Sequence, residues 1–273
     1  MSRLRSWPLV AILTLLTTVL VAAGCGDDDG GSSSSNLNTL SEGKLTVGSD
    51  IPYKPFEFGN APNYQGFDVD VVNAIAKNLN LDAEFVKTPF DTIFRNLAQG
   101  KFDMVASAST ITPEREKTVD FSDSYFPADQ SLMVKQGSDI RTVDDVSGKV
   151  VGAQLGTTGA DYAKDKTQAS SVRTYDLIDD AFNALEAGQV EAVINDCPVS
   201  KYAEKAHPDL AVVEAINTNE LYGFAFKKGQ TALREAVNKE LNELEQNGEL
   251  KKISDKWFGG EPCVLRPEGN AGS

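Results

Sequence analysis

Histidine and cysteine are scarce in this chain, which contains 1 His and 3 Cys among 273 residues. His207 precedes Pro208 and is expected at a solvent-exposed helix end rather than in a catalytic site. The sequence has no nucleophile-elbow motif, no HExxH motif and no Cys/His spacing typical of a metal site. These absences argue against a metalloenzyme or a hydrolase, and we expect neither a metal nor a cofactor.

Basic residues are outnumbered, with 26 Lys and Arg against 40 Asp and Glu, for a formal net charge of −14. This excess of negative charge argues against nucleic acid and anionic lipid head groups as partners. Acidic pairs such as Asp179-Asp180 are expected on a solvated or capping helical segment rather than as a catalytic pair.

An apolar run from Pro8 to Val21 follows Arg3 and Arg5 and precedes Ala22-Ala23-Gly24-Cys25. The run is shorter than the roughly 20 residues that a membrane-spanning helix needs. The pattern is typical of a lipoprotein signal peptide over residues 1–24, with an acyl chain such as palmitate expected on Cys25. A retained membrane-anchoring helix is the alternative.

Residues 25–42 are rich in Gly, Asp and Ser and are predicted to form a flexible tether. We therefore expect an exported protein that its lipid holds at the outer face of the cell membrane, or in the periplasm. In that oxidising compartment, Cys197 and Cys263 either form one disulfide or remain two free thiols.

From about Leu40 to Phe258, short β-rich runs alternate with amphipathic patterns, which predicts an α/β fold with largely parallel sheets. Apolar residues at helical spacing indicate core-facing helices that run from Val72 to Leu79, Leu233 to Leu244 and Leu250 to Trp257. The predicted strands are 45–48, 83–86, 102–106, 150–153, 172–175, 192–194, 210–213 and 224–226.

A faint internal repeat favours two lobes over one. The segment from Asp91 to Val105 aligns at constant offset with the segment from Asp179 to Val193, and each reads as a helix, a Gly and a buried strand. Chance similarity between two ordinary helix-to-strand units is the alternative. If the repeat is real, the polar groups that follow each strand face one another across a cleft.

Several predicted strands end in groups that suit a free α-amino acid. The segment from Ser107 to Arg115 offers a guanidinium fork and backbone N–H groups for a carboxylate. The turn from Leu155 to Gly159 precedes a helix, whose N-terminus also favours an anion. Asp196 would pair with an ammonium group, and Tyr53 and Phe90 would flank a side chain. Taken singly, the acids are also explained as helix caps and the rings as core.

Two motifs resemble those of the ABC transporter substrate-binding proteins for polar amino acids, the bacterial extracellular solute-binding protein family 3. They are the segment from Gly66 to Ala76 and the segment from Ile111 to Arg115, the latter followed by Val119 to Asp123. The resemblance implies a type II periplasmic-binding-protein fold, in which two α/β lobes joined by a two-strand hinge enclose the ligand cleft. The implied boundaries are 43–128 plus 220–260 for lobe 1, 129–219 for lobe 2 and 261–273 for a C-terminal tail, with the hinge strands near 125–129 and 218–222.

The resemblance also implies a receptor, not an enzyme, that closes on an amino acid and delivers it to ABC permease subunits as a monomer. Arg115 and the Thr157-Thr158 turn would bind the α-carboxylate, and Asp196 the α-ammonium group. The implied ligand-binding residues are Asp50, Tyr53, Phe90, Ser107, Ala108, Ser109, Thr110, Arg115, Gln154, Thr157, Thr158 and Asp196.

The sequence gives less information about which amino acid is bound. Asp50 with Tyr53 is similar to the pattern in binders of basic amino acids, and Glu57 would add charge, but an Asp at the same place also serves glutamine binders. A basic amino acid is favoured over glutamine because the implied site groups other than Arg115 are acidic or neutral. Family members with basic ligands often carry Ser where this chain has Ala108, and glutamine binders carry Lys where it has Gln154.

Other functions remain open at this point. An exported dehydratase-like enzyme on the same scaffold and an amino-acid sensor are the main alternatives. A dinucleotide site around Gly152 to Gly159 is disfavoured, because its glycine spacing is not GxGxxG.

Overall fold

The computed structural model describes residues 37–260 and Cys263, so the predicted signal peptide, Cys25 and much of the predicted tether lie outside the described residues. Within the described part of the chain, no helix combines the length and the apolar character needed to cross a membrane.

Strands and helices alternate along the chain. The strands are β1 (Lys44–Ser49), β2 (Phe58–Asn60), β3 (Asn63–Gln65), β4 (Asp82–Lys87), β5 (Met104–Val105), β6 (Val119–Phe121), β7 (Phe126–Pro127), β8 (Gln130–Lys135), β9 (Val150–Gln154), β10 (Ser171–Tyr175), β11 (Ala192–Asp196), β12 (Leu210–Ile216), β13 (Leu221–Tyr222) and β14 (Ala225–Lys227). The helices are α1 (Phe67–Asn78), α2 (Phe90–Ala98), α3 (Thr158–Lys166), α4 (Ile178–Glu186), α5 (Cys197–Ala203), α6 (Thr231–Gln246) and α7 (Glu249–Phe258).

Ten of the strands form two five-stranded sheets with the same arrangement. The first has the order β4-β1-β5-β14-β6 and the second the order β10-β9-β11-β8-β12. We call the first sheet with α1, α2, α6 and α7 the first lobe, and the second sheet with α3, α4 and α5 the second lobe. This architecture agrees with the predicted two-lobe fold.

The sheets are mixed rather than largely parallel, which corrects the sequence prediction. In the first sheet β1 runs parallel to β4 and β5, whereas β14 is antiparallel to β5 and β6. In the second, β9 is parallel to β10 and β11, whereas β8 is antiparallel to β11 and β12. The antiparallel strand β8 was missed, although the run Ser131 to Val134 is fully buried.

The internal repeat has a structural counterpart. Helix α2 leads into β5, and α4 leads into β11, and these two strands occupy the same position in their sheets. Their carboxyl ends carry Ser107 and Asp196, so equivalent points of the two lobes present polar groups.

The chain crosses between the lobes twice. Strand β7 lies between β6 and β8, and β13 lies between β12 and β14, and the two crossing strands pair antiparallel. Rings from both crossings, Phe126 and Tyr222, pack with Phe56 at centroid distances of 5.1 and 5.4 Å. The two-strand hinge is therefore anchored in an aromatic core.

Helix α1 begins where the backbone approaches a neighbouring loop too closely for a side chain. Gly66 has a φ of 138°, and a Cβ there would lie 2.0 Å from the carbonyl oxygen of Phe56. Asp68 and Asp70 occupy the first turn, where their negative charges interact favourably with the helix dipole. Val72 and Ile75 are fully buried at helical spacing, so the helix packs as its pattern predicts.

A disulfide joins Cys197 and Cys263, whose Cα atoms lie 5.5 Å apart. Cys197 is fully buried at the start of α5 and directly follows Asp196. Of the two sequence alternatives, the paired one is confirmed. The bond ties the segment after α7, a first-lobe helix, to the second lobe.

Candidate functional site

A narrow cavity lies between the carboxyl ends of the two sheets. Eleven of the twelve residues predicted to bind a ligand line it. The twelfth, Ser109, is fully buried behind the cavity, and its hydroxyl donates a hydrogen bond to the Ser107 carbonyl. The lining residues are Asp50, Tyr53, Phe90, Ser107, Ala108, Thr110, Arg115, Gln154, Thr157, Thr158 and Asp196.

Arg115 reaches into the cavity from a short 3₁₀ turn after β5. Its Nη1 donates to the Thr110 carbonyl at 2.7 Å, and its Nη2 donates to the Gly156 carbonyl of the second lobe at 3.2 Å. Its guanidinium lies over the Phe90 and Phe94 rings, at 5.2 and 4.9 Å from their centroids. Burial lowers the pKa of this group, while the charges of Asp196 and Glu220 oppose that effect.

No carboxylate of residues 37–260 lies within ion-pair distance of Arg115, although several Lys side chains of this range form such pairs. A partly buried guanidinium held by two carbonyls and two rings is thus positioned for an anion that the described residues do not supply.

The second lobe adds the N-terminus of α3. The Thr157 hydroxyl accepts a hydrogen bond from the Ala160 N–H and so caps the helix. The N–H groups that precede Ala160 in the first turn of α3 have no hydrogen-bond acceptor within the helix. They point out of its N-terminal end, where they favour an anion. Thr158 also lines the cavity, so the helix start faces the same space as Arg115.

Asp196 ends β11 and accepts hydrogen bonds from three side chains. The hydroxyls of Tyr53 and Tyr222 and the amide of Gln130 each donate to its carboxylate at 2.5 Å. Burial raises the pKa of Asp196 to about 6, and the charge of Glu220 adds to this rise, whereas the three hydrogen bonds lower it. A cation in the cavity would favour the ionised form.

Asp50 lies at the carboxyl end of β1 and is 2% exposed. Gln154 of the second lobe donates to its carboxylate at 2.6 Å. Burial raises the pKa of Asp50 to about 7, with smaller contributions from Asp91 and Asp176, while the Gln154 hydrogen bond and the charge of Lys87 lower it. This end of the cavity therefore carries an acid that titrates near neutral pH.

A second layer of buried acids supports the cavity wall. The Ser107 hydroxyl accepts from the Asp50 N–H and donates to Glu57 at 2.9 Å. The Ala108 N–H donates to Asp68 at 2.9 Å, which holds Ala108 in the left-handed region at a φ of 42°. Burial raises the pKa of Glu57 well above its usual range and that of Asp68 to about 7.

Glu57 is fully buried and does not line the cavity, so the sequence interpretation of it as a further charge near the ligand is not supported by its position. One of its carboxyl oxygens accepts from Ser107, and the other, Oε2, has no hydrogen-bond partner among the described residues. Glu57 instead belongs to the supporting layer.

Three polar residues of the site had no sequence signal of their own. Gln130 begins the missed strand β8, Tyr222 lies in the crossing strand β13, and Glu220 directly precedes β13. Their roles depend on the pairing of the two crossing strands, which no local motif encodes. The apolar run after Gln130 is the one feature that predicts its strand.

His207 differs from its sequence expectation. Its side chain is only 15% exposed, and its Nδ1 lies 3.0 Å from a carboxylate oxygen of Glu186. It packs against Phe182 at a centroid distance of 6.0 Å and lines no part of the cavity. Within the described range, no group of three or more His, Cys, Asp and Glu is arranged to bind a metal.

Comparison with known proteins finds relatives over most of the described chain. The model of bacterial extracellular solute-binding proteins, family 3, matches residues 45–260. The chain is 34% identical over 223 residues to the arginine-binding extracellular protein ArtP of Bacillus subtilis (strain 168). This match covers 80% of this chain and 87% of that protein. It is 34% identical over 230 residues to the L-cystine-binding protein TcyJ of Escherichia coli (strain K12), covering 82% of this chain and 86% of that protein.

A solved structure of an ancestral arginine-binding protein bound to glutamine shares the fold. Its TM-score is 0.77 at 40% sequence identity, and the match covers 80% of this chain and 99% of that one.

Proposed function

Because the chain belongs to the bacterial extracellular solute-binding proteins, family 3, we propose that it binds a free L-amino acid between its lobes and delivers it to an ABC importer. We further propose that the ligand carries a basic side chain. The named relatives bind arginine or cystine, and the ancestral structure holds glutamine, so the choice within the class is argued from the site.

The observation that carries the proposal is the guanidinium of Arg115 with no carboxylate partner among the described residues. A ligand α-carboxylate would supply that partner through paired, charge-assisted hydrogen bonds. The start of α3 faces the same space, so its first N–H groups would meet the same carboxylate. These two elements belong to different lobes, and one carboxylate would join them.

The α-ammonium group would pair with Asp196. This carboxylate is already oriented by two tyrosines and Gln130, so it would bind without rearranging. The Thr110 hydroxyl oxygen and the backbone around Ser107 would complete this end of the site.

The side chain would extend toward Asp50, between the Tyr53 and Phe90 rings. Once Arg115 pairs with the α-carboxylate and Asp196 with the α-ammonium group, Asp50 is the remaining charged residue of the cavity lining. A guanidinium or ammonium group would neutralise it and receive the hydrogen bonds that a buried acid needs. A neutral amide would leave the charge unpaired, which is why a basic ligand is favoured over glutamine.

The same proposal includes the membrane context. The signal peptide over 1–24 would direct export and be removed, and a lipid on Cys25 would hold a monomeric receptor outside the cell, with residues 25–42 as its tether. The two named relatives are described as binding proteins, and the proposed role needs no chemical conversion of the ligand.

Arg115→Ala is the variant that tests this assignment. It should weaken binding of L-arginine at least about thirtyfold, because a charge-paired contact in a desolvated site is worth about 2–5 kcal/mol. Isothermal titration calorimetry of the mature protein with L-arginine, L-lysine, L-histidine and L-glutamine measures both affinity and selectivity.

The matched control is Arg95→Ala, which removes an exposed arginine of α2 and should leave affinity unchanged. Unchanged affinity in Arg115→Ala would contradict the carboxylate assignment. If the unmodified protein binds no amino acid, the function itself is wrong.

A further inference from the structure

Glu220 is a carboxylate beside the cavity that the proposed amino-acid site does not yet use. Its Oε2 accepts a hydrogen bond from the Thr110 hydroxyl at 2.7 Å and another from the Thr158 hydroxyl at 2.7 Å. Both threonines line the cavity, one from each lobe, whereas Glu220 lies behind them. One carboxylate therefore bridges the two lobes at the wall of the site.

The position of Glu220 is set by the backbone of the crossing strands. Its carbonyl accepts from the Ala128 N–H at 3.0 Å, and the carbonyl of the next residue, Leu221, accepts from the Ile111 N–H at 2.9 Å. On its other side, Asp129 accepts from the N–H groups of Thr218 and Asn219. The backbone at Glu220 is thus fixed on both sides by hydrogen bonds, independently of a ligand.

The protons of the two hydroxyls are assigned by their neighbours. An ionised carboxylate only accepts hydrogen bonds, so Thr110 and Thr158 must donate to Glu220. The Gln130 amide also donates to the Thr158 oxygen, at 3.3 Å, which agrees with a hydroxyl whose own proton is directed elsewhere. Each hydroxyl oxygen then has a lone pair left for a third group.

We propose that Glu220 is a positioning residue, which turns the Thr110 and Thr158 oxygens into acceptors and so makes the site select ligands that carry an α-ammonium group. This inference rests on the proposed function. An ammonium group has three N–H donors, and Asp196 with two acceptor hydroxyls would match them. The negative charge of Glu220 acts in the same direction.

A competing interpretation is that the Glu220 carboxylate occupies the place of the ligand carboxylate and must be displaced. The contacts of Arg115 argue against this, because its guanidinium bonds the Thr110 and Gly156 carbonyls and is not ion-paired with Glu220. The Arg115 anion site and the Glu220 carboxylate are thus separate, and both are available when a ligand binds.

The test compares L-arginine with 5-guanidinopentanoic acid, which is arginine without its α-amino group. Both hydroxyls donate to the same oxygen, Oε2, so the variant must remove the acceptor altogether. In Glu220→Leu, neither hydroxyl has an acceptor at this position, and both protons are free to turn toward the ligand. We expect calorimetry to show L-arginine binding weakened about tenfold, as for loss of a hydrogen bond to a charged group, and the analogue changed less than about twofold. Glu235→Leu, at an exposed acid of α6, is the matched control and should change neither.

Equal weakening of both ligands would show a merely structural role and overturn the inference. Tighter binding of either ligand would overturn it as well, in favour of a competing carboxylate. If the unmodified protein binds another amino acid instead, the same comparison is made with that amino acid and its des-amino form. If the unmodified protein binds no amino acid, the proposed function is wrong. This outcome is observed without any variant, so it is distinct from a failure of the Glu220 inference.

Discussion

Asp50 is the residue on which ligand choice depends, because it is buried at the end of the cavity opposite the amino-acid head group in the proposed binding mode. Its only side-chain hydrogen bond among the described residues comes from Gln154 of the other lobe. Burial penalises its ionised form, so near neutral pH the carboxylate is only partly ionised until a cation offsets that penalty.

The affinity for L-arginine should therefore rise with pH. The pKa of Asp50 is about 7 in the folded protein. A bound guanidinium favours the ionised form, so binding releases a proton below that pKa and is weaker there. Between about pH 5 and about pH 8 we expect affinity to increase at least about tenfold, and Asp50→Asn should remove most of this slope.

Calorimetry of both proteins across this pH range measures the effect. L-Glutamine is the control ligand, since its neutral amide does not require an ionised Asp50 and its pH dependence should reflect Asp196 alone. An Asp50→Asn variant with the full slope for arginine would contradict the assignment of Asp50.

Individual site residues were predictable to different degrees for a physical reason. Arg115 and Asp196 follow buried strands of a recognisable pattern, and the carboxyl ends of parallel strands meet at one edge of a sheet. Glu220, Tyr222 and Gln130 lie in or next to the crossing strands, so only the pairing of β7 with β13 brings them to the site. A short local pattern cannot encode that long-range pairing.

Helix α1 and the loop before it form one packed unit. The N–H groups of Phe67 and Asp68 donate to the carbonyls of Pro55 and Phe56, and Asp68 then supports Ala108 in the cavity wall. The start of this helix is thus connected to the site through two hydrogen-bonded steps.

Gly66→Ala should disrupt this unit. The added Cβ would meet the Phe56 carbonyl carbon at 2.4 Å and its oxygen at 2.0 Å, and backbone atoms cannot rotate away as a side chain does. We expect the free energy of unfolding to fall by about 3 kcal/mol or more, measured by urea denaturation.

Gly229→Ala is the comparison variant. Gly229 has a φ of 79° and no atom within 4 Å of an added Cβ, so only the cost of a left-handed residue applies, about 1–2 kcal/mol. Equal losses in the two variants would show that the close approach at Gly66 is unimportant.

The main secondary-structure elements followed from the sequence wherever periodicity was strong. Helices α1, α6 and α7 carry apolar stripes at helical spacing and lie where the stripes predict. The strand β8 and the antiparallel direction of β14 were missed, because alternation of strands and helices indicates parallel connections. It does not reveal where the chain leaves one lobe and enters the other.

The disulfide adds a third covalent connection between the lobes, besides the two crossing strands. It joins positions 66 residues apart, so in the chain-entropy account it restricts the unfolded chain by about 4 kcal/mol. Replacing both cysteines by alanine should lower the free energy of unfolding by roughly this amount in urea denaturation.

The unmodified protein kept reduced, without alkylation, is the companion measurement, and it should unfold at a lower urea concentration than the oxidised protein. If the variant and the oxidised protein share one unfolding midpoint, the bond does not contribute to stability.

The order of strands in the two sheets has a consequence for synthesis. All strands of the second sheet lie between residues 130 and 216, whereas the first sheet needs β14, which joins β5 to β6, from 225–227. Domains generally fold from the N-terminus as the chain is made, but here the middle of the chain is complete first. A chain emerging from the export channel would therefore assemble its second lobe while the first is still unfinished, and would acquire a two-sided cleft only when its C-terminal helices arrive.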